Sequence, residues 1–158
     1  MASSAVNWRP ALAVADVVAS RRARCVIAVV PARNEIEGIG KTVRSLLAQT
    51  LEVPIHIIIV DDASTDGTAE EARKAADAAG AGARLTVLRG TAPAPGWTGK
   101  LWAMSQGVAD AVARNPDFLL LTDADIEYAP GDVAALADKA EAEDLDLASL
   151  MVRLSTVT

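Results

Sequence analysis

Phe118-Leu119-Leu120-Leu121-Thr122-Asp123-Ala124-Asp125 carries an apolar run straight into two carboxylates one residue apart. Four large apolar side chains in succession, set off from the preceding helical pattern by Asn115-Pro116, read as a strand buried on both faces. The two acids therefore emerge at its carboxyl end. Carboxylates held this close repel each other unless a proton or a cation intervenes. A divalent metal bound through hard oxygens is the usual resolution, and a metal beside a strand end points to phosphate chemistry.

The same alternation of strand and helix runs through the rest of the chain. Residues 25–30 (Cys-Val-Ile-Ala-Val-Val) form a first apolar strand that Pro31 is expected to close, and Ile36, Ile39, Val43, Leu46 and Leu47 follow at helical spacing. Asn34 and Glu37 stand three apart before that helix, the spacing of a capping box. Pro54 precedes a second strand, Ile55 to Val60, and the turn-forming segment Asp61 to Gly67 leads to an Ala-rich helix from about Thr68 to Ala79 that Gly80 and Gly82 stop. Leu85 and Val87 mark a third strand, and residues 90–99 a loop rich in Pro and Gly. Leu101, Met104, Val108 and Ala111 mark another helix, and Phe118 to Thr122 the fourth strand. A helix from about Asp132 to Glu143 and an apolar run from Leu147 to Leu154 complete the pattern.

Continuous apolar strands separated by helices predict an α/β fold: three layers, α/β/α, around a mostly parallel sheet. Right-handed crossovers place the loops that follow the strands along one edge, where such sheets bind ligands. Three polar clusters, Pro31 to Glu35, Asp61 to Asp66 and Asp123 to Asp125, are therefore expected to converge.

A chain of 158 residues is long enough for one domain with its own core. Hydrophobic residues make up 51% and aromatics 3%, so the core must be aliphatic. A net charge of -6 with no basic block excludes a nucleic-acid footprint. The single cysteine, Cys25, excludes an internal disulfide or a Cys/His metal cluster and reads as a small buried side chain. No apolar stretch reaches the ~18–20 residues of a membrane span. Residues 11–19 are apolar, but Asp16 interrupts them and Arg21, Arg22 and Arg24 follow, the reverse of a signal peptide's order. Residues 1–24 read as an N-terminal extension or short helix, with a membrane-surface amphipathic helix edged by Trp8 as the alternative. Residues 25–158 read as the domain proper.

Asp61 and Asp62 at the second strand end suit a base N–H or ribose hydroxyls, because capping needs one side chain and not two adjacent acids upstream of the cap. Asp66 and Thr68 read as capping residues. Glu35 follows the first strand, where it can face a ligand beside Arg33. At Gly99-Lys100 backbone N–H groups and an ammonium suit phosphate oxygens, and a solvated lysine fits equally well. Trp97 and Trp102 read as packing residues, and His56 as a core or interface residue. For the pair itself, one carboxylate is expected on the metal and the other on a sugar or ribose hydroxyl or a metal-bound water. The residues alone leave open which does what.

The order of three segments resembles the family 2 glycosyltransferases of GT-A fold. They are Val-Val-Pro-Ala-Arg-Asn-Glu (29–35), Ile-Val-Asp-Asp-Ala-Ser-Thr-Asp-Gly-Thr (59–68) and Leu-Thr-Asp-Ala-Asp (121–125). Pro-Gly-Trp-Thr-Gly-Lys-Leu-Trp-Ala (95–103), with Ser-Leu-Met-Val-Arg-Leu (149–154), resembles the hopene-associated group within that family. The resemblance covers about residues 25–154. It implies a Rossmann-like nucleotide-diphospho-sugar transferase fold and inverting transfer of a sugar from a nucleotide diphosphate, with a UDP-sugar as the expected donor. Asp61 and Asp62 would hold base and ribose, with Glu35, Arg33 and the main chain at Pro31 and Ala32 beside them. Asp123 would serve ribose or sugar and metal, Asp125 would be the direct ligand of Mg²⁺ or Mn²⁺, and Lys100 would lie near the donor. The acceptor is unidentified, with a lipid of polyisoprenoid type suggested by the subgroup. The expected location is the cytoplasm or, for a parent protein associated with the membrane, the cytoplasmic face of the inner membrane.

The family carries its acceptor site and general base well beyond the Asp-x-Asp pair, and this sequence ends at Thr158. The expectation is a truncated, donor-binding part of a longer enzyme, with no base assigned and with Glu127 and Asp132 read as helix-start acids. Missing strands would leave an open sheet edge that invites self-association. Three alternatives are weighed. One is a binding module that holds donor without transfer. A haloacid-dehalogenase phosphatase would want Thr or Val where Glu127 stands. A nucleotidyltransferase would want a Gly-rich basic loop where only Arg33 is found.

Overall fold

The computed structural model describes residues 24–150. Residues 1–23 of the expected N-terminal extension and the end of the last apolar run, residues 151–154, lie outside the described residues. The described elements alternate in chain order: β1 (Val26–Ala32), α1 (Ile36–Leu47), β2 (His56–Asp61), α2 (Thr68–Ala78), β3 (Leu85–Arg89), α3 (Gly99–Ala113), β4 (Phe118–Leu121) and α4 (Asp132–Ala142). A single 3-10 turn, Gly82–Arg84, joins α2 to β3. The strands form one sheet in the order β3-β2-β1-β4, and every neighbouring pair is parallel. The expected α/β architecture is what the chain adopts.

Alternate residues of the strands feed two cores, as the period of two requires. Val26, Ala28, Val30, Ile57 and Ile59 face α1 and α2, joined by Val133 of α4. Ile27, Val29, Ile58 and Val60 face the opposite side, against Ala103 and Ala111 of α3. Ile57, Ile58, Ile59 and Val60 are all fully buried, which is why β2 reads as an unbroken apolar run and not as an alternation. Cys25 is half-buried just before β1 and packs against the second core.

Pro31 does not close the first strand. β1 runs on to Ala32, with Pro31 in register with Val60. The Val29 carbonyl accepts from Thr122 N–H, so the odd-numbered residues of β1 point their backbone groups towards β4. That strand ends at Leu121, opposite Val29. The N–H that proline lacks would have had no strand to reach, and the residue is tolerated for that reason.

His56 opens β2 instead of lying within it, half-buried at the end of the sheet remote from the polar loops. Its Nε2 lies 2.9 Å from Thr86 Oγ1 and 3.0 Å from Arg114 Nη1. A guanidinium has donors only, so Nε2 accepts and the proton sits on Nδ1 of a neutral ring. Burial first, and the Arg114 charge second, hold its pKa below the ordinary 6.5.

Two outcomes follow from this packing. A Cβ on Gly107 would fall 2.4 Å from Val29 Cγ1 and 2.9 Å from Val60 Cγ2. Gly107→Ala should therefore cost about 1–3 kcal/mol in urea unfolding through overpacking, instead of giving the ~1 kcal/mol gain that alanine brings to an open helix position. His56 binds its proton more weakly folded than unfolded, so the stability it confers is full above the unfolded pKa of about 6.5 and is lost as pH falls below that value. His56→Gln should flatten the pH dependence of the unfolding midpoint in that window.

Candidate functional site

The site begins with two loops that cap each other's helices. The first four N–H groups of a helix need outside acceptors. Neither Glu35 at the start of α1 nor Gly67 at the start of α2 supplies a side-chain cap. Asp66 serves both helices: Oδ1 accepts from Thr68 N–H at 3.0 Å and from the Thr68 hydroxyl at 2.6 Å, while Oδ2 accepts from Ile36 N–H of α1 at 3.1 Å. The Thr68 hydroxyl in turn accepts from Glu35 N–H at 2.8 Å. These donors, the Thr68 hydroxyl foremost, hold the Asp66 carboxyl below its usual range. Asp66 and Thr68 are capping residues as expected, with a reach that extends to the neighbouring helix.

The expected capping box is absent. Asn34 has a φ of 54°, a left-handed conformation that asparagine tolerates. From there its Oδ1 accepts from Thr65 N–H at 2.9 Å, and its own N–H donates to Ser64 Oγ at 3.0 Å. The side chain is spent across the gap between loops and cannot reach back to α1. Asp61 is drawn into the same stitching, its Oδ1 accepting from Ser64 N–H at 3.1 Å.

The Asp-x-Asp turn is clamped from below. Ala124 is buried, and its carbonyl accepts from Thr42 Oγ1 of α1 at 2.7 Å. Gly38, one turn earlier on α1, lets this backbone approach: a Cβ there would lie 3.2 Å from both Ala124 O and Asp125 Cα. With Ala124 turned inward, Asp123 and Asp125 are left at the surface. Tyr128 steadies the strand end by donating its hydroxyl to Thr122 Oγ1 at 2.6 Å.

These loops enclose a cavity of about 380 Å³. Its wall contains Pro31 and Ala32 at the end of β1, Arg33 and Glu35 after it, Asp62 after β2, Gly99, Lys100 and Ala103 on α3, and Asp123 to Asp125 after β4. The structure thus brings together all the nominated residues except Asp61, which the Ser64 turn occupies outside the wall. Four carboxylates face two cations here. Lys100 Nζ lies 2.8 Å from Asp123 Oδ1, and Arg33 Nη1 lies 3.4 Å from Asp62 Oδ2. Among the described residues no hydrogen bond or ion pair engages the carboxylates of Glu35 and Asp125. No group of three His, Cys, Asp or Glu side chains among the described residues could hold a metal. Asp123 and Asp125 offer hard oxygens, so they fit a cation whose remaining positions a bound anion and water would fill.

Chemically, the cleft joins the carboxylates of Asp123 and Asp125 to the ammonium of Lys100 and the N-terminus of a long helix. Such a set suits a polyanionic ligand carried with a divalent ion. The family model for Glycosyl transferase family 2 matches residues 27–156. The chain belongs to glycosyl transferase family 2. Among curated members of the family, 4,4'-diaponeurosporenoate glycosyltransferase of Staphylococcus aureus (strain bovine RF122 / ET3-1) is 37% identical over 101 residues, 63% of this chain and 24% of the relative. Dodecaprenyl-phosphate galacturonate synthase of Rhizobium johnstonii is 31% identical over 121 residues, 75% of this chain and 33% of that protein. The chain thus spans about a quarter to a third of the length of these relatives.

Solved family structures share the GT-A fold. The mannosyltransferase PcManGT of Pyrobaculum calidifontis, solved with GDP-Man and Mn²⁺, superposes with a TM-score of 0.56 at 25% identity, covering 75% of this chain and 32% of that one. S. aureus TarS 1-349 with UDP gives 0.55 at 23% identity, covering 74% and 33%. Among the described residues, no helix of this family 2 domain is long and apolar enough to cross a membrane.

Gly38 and Thr42 escape sequence reasoning, since a glycine and a threonine on the buried face of a helix carry no sign of what packs there. Gly99 was visible as a backbone N–H donor before Lys100 at a helix start, but the close approach at it was not. A Cβ on it would meet Asp62 Oδ2 at 2.9 Å. Thr42→Val removes the donor to the buried Ala124 carbonyl and should cost about 1–3 kcal/mol, measured by chemical denaturation. Thr42→Ser, which keeps the hydroxyl, should recover most of the loss.

Proposed function

We propose that this domain binds a nucleotide-diphosphate sugar with a divalent metal in the cleft at the carboxyl ends of β1, β2 and β4, for inverting transfer of the sugar to a lipid-linked acceptor. The observation that carries the reading is the joint wall formed by Asp123, Asp125, Asp62, Glu35 and Lys100 around one cavity. Two of its carboxylates, those of Glu35 and Asp125, are without a partner among the described residues, so it invites a cation. The helix start at Gly99 and Lys100 invites an anion.

Asp125, with Asp123, would hold Mg²⁺ or Mn²⁺, which when bound neutralises charge growing on the departing nucleotide diphosphate. Lys100, paired with Asp123 and largely exposed, can exchange that carboxylate for a phosphate oxygen. Asp62, kept in place by Arg33, would take ribose hydroxyls or a base N–H, with Glu35 and the main chain at Pro31 and Ala32 alongside. Asp61 would act through the turn it caps. UDP is the nucleotide we favour, by analogy with the UDP held by TarS 1-349. PcManGT holds GDP-Man and Mn²⁺. The lipid acceptor rests on the substrates named in the two curated relatives. The hopene-associated subgroup rests on residues 95–103 and 149–154, and action at the cytoplasmic face of a membrane goes with it. The base that activates the acceptor is assigned to no residue of this chain. A domain that binds donor without transferring it is the second reading.

Calorimetry with a UDP-sugar and Mn²⁺ tests the proposal. Asp125→Ala should weaken metal-dependent binding about tenfold or more, ~1.4 kcal/mol, with an unchanged melting temperature. Equal affinity in wild type and variant would refute the metal assignment. Asp62→Ala should weaken nucleotide binding with and without metal. Asp61→Ala should weaken it together with a loss of stability, because its Ser64 turn opens. Release of nucleotide diphosphate, assayed with and without a lipid acceptor, separates transfer from binding alone.

A further inference from the structure

Asp125 is exposed, and among the described residues nothing engages its carboxylate. Asp123, by contrast, is paired with Lys100. The place of the Asp125 carboxylate is therefore decided by its backbone, and that backbone rests on one face of α1.

Gly38 and Thr42 form that face. They stand four apart, the spacing at which helix positions lie one above the other. Thr42 is buried and has one hydroxyl proton to give. Its Oγ1 lies 3.5 Å from the Gly38 carbonyl and 2.7 Å from the Ala124 carbonyl, so the proton goes to Ala124. One turn earlier there is no side chain, and the backbone of the Asp-x-Asp turn fills the space. A Cβ on Gly38 would lie 3.2 Å from Ala124 O, 3.2 Å from Asp125 Cα and 3.4 Å from Asp125 Cβ. Glycine inside a helix is unfavourable by propensity, and this close approach accounts for it.

The loop on either side leaves the turn little room to move. Before it, Thr122 is buried and donates its N–H to the Val29 carbonyl of β1 at 3.2 Å. After it, the chain returns to the far end of α1. Gln49 donates from Nε2 to the Ala129 carbonyl at 2.8 Å and accepts at Oε1 from Val133 N–H of α4 at 3.0 Å. Thr50 donates its N–H and its hydroxyl to the Pro130 carbonyl, both at 2.8 Å. The stretch from Thr122 to Val133 is thus pinned at both ends, and the contact with Gly38 falls between the pins. A methyl group at Gly38 is not relieved by the whole loop drifting away, and the displacement falls on Ala124 and Asp125. The start of α1 is tied to the opposite wall through Ile36 N–H and Asp66, so the same helix places Asp125 relative to the loop that carries Asp62.

We infer that Gly38 and Thr42 are positioning residues for Asp125, and that by seating the Asp-x-Asp turn they set the affinity of the cleft for a divalent cation. The inference rests on the proposed binding of a nucleotide diphosphate with a metal. Neither residue belongs to the cavity wall, and each acts through the backbone of the turn. Metal sites keep ligand distances to within about 0.2 Å, and groups that orient a ligand are worth about 10–100-fold in metal affinity. A shift of a few tenths of an ångström, as a methyl group on Gly38 requires, is enough to register.

The test is calorimetry of the whole chain with UDP, or with GDP if UDP does not bind, once with Mn²⁺ and once with EDTA. Wild type should bind more tightly with Mn²⁺. Gly38→Ala should lose about tenfold in affinity with Mn²⁺ and keep its affinity in EDTA. Thr42→Val should show the same split, and Thr42→Ser should restore the wild-type value, which keeps the inference testable if Gly38→Ala does not fold. Gly40→Ala is the control on the same helix. Its methyl group would meet the side-chain ends of Glu71 and Arg44 at 2.9 and 3.2 Å and not the turn, so both affinities should match wild type. A merely structural role would lower the two affinities together. Unchanged affinity with Mn²⁺ in either folded variant, an equal fall in EDTA, or an equal fall in Gly40→Ala would overturn the inference and leave the proposed site standing. Wild type that binds neither nucleotide, or binds equally with Mn²⁺ and with EDTA, sinks the proposed metal-dependent site and this inference with it.

Discussion

The carboxylate of Asp66 joins two helices that begin on different strands. One oxygen serves the start of α2 through Thr68, and the other serves the start of α1 through Ile36 N–H. Helix starts leave donors that must be satisfied, and here one side chain satisfies two of them. The loops after β1 and β2 are therefore a single hydrogen-bonded unit, completed by Asn34 to Thr65 and by Asn34 to Ser64. The wall of the cleft from Pro31 to Asp62 inherits its shape from that unit. A carboxylate so fully used for capping is not available to a ligand, which separates Asp66 from Asp62 although the two lie four residues apart.

The cleft opposes this stitched wall with parts that are held by contacts of other kinds. The Asp-x-Asp turn rests on α1 through Thr42 and the bare surface of Gly38. The middle of α3 rests on the sheet through Gly107, where backbone and strand side chains meet without room for a methyl group. Position is thus set by buried contacts, and charge is set by exposed ones. The Lys100–Asp123 and Arg33–Asp62 pairs contribute little to stability where solvent reaches them, and for the same reason they rearrange at small cost when a charged ligand arrives.

Much of this was legible in the sequence. The run Ile55 to Val60 is too apolar for anything but a strand covered on both faces, and the helices between the strands fix the parallel order through the handedness of the crossovers. Phe118 to Leu121, read in the same way, is instead an edge strand left partly open, with Leu121 52% exposed. Convergence of the three polar clusters followed from that order alone. The misreadings share one cause. Asn34 and Glu37 have the spacing of a capping box, but the competing partner, Thr65, comes from another loop. Pro31 looks like a strand end, but β4 stops before the position where its missing N–H would matter. Asp61 and Asp62 are equivalent by sequence, and only the Ser64 turn tells them apart.

The sequence by itself determined the order of elements, the sheet, the edge on which a site forms and the chemical types gathered there. These depend on local periodicity and on rules of connection that hold for any chain of this pattern. Only the tertiary structure decided which carboxylate caps, which lines the cavity and which pairs with a cation, because the contacts between loops are made by residues 29 to 31 positions apart. It also decided that Gly38 and Thr42 lie beneath the Asp-x-Asp turn, since the role of a helix face is settled by what packs against it, and the sequence does not record that.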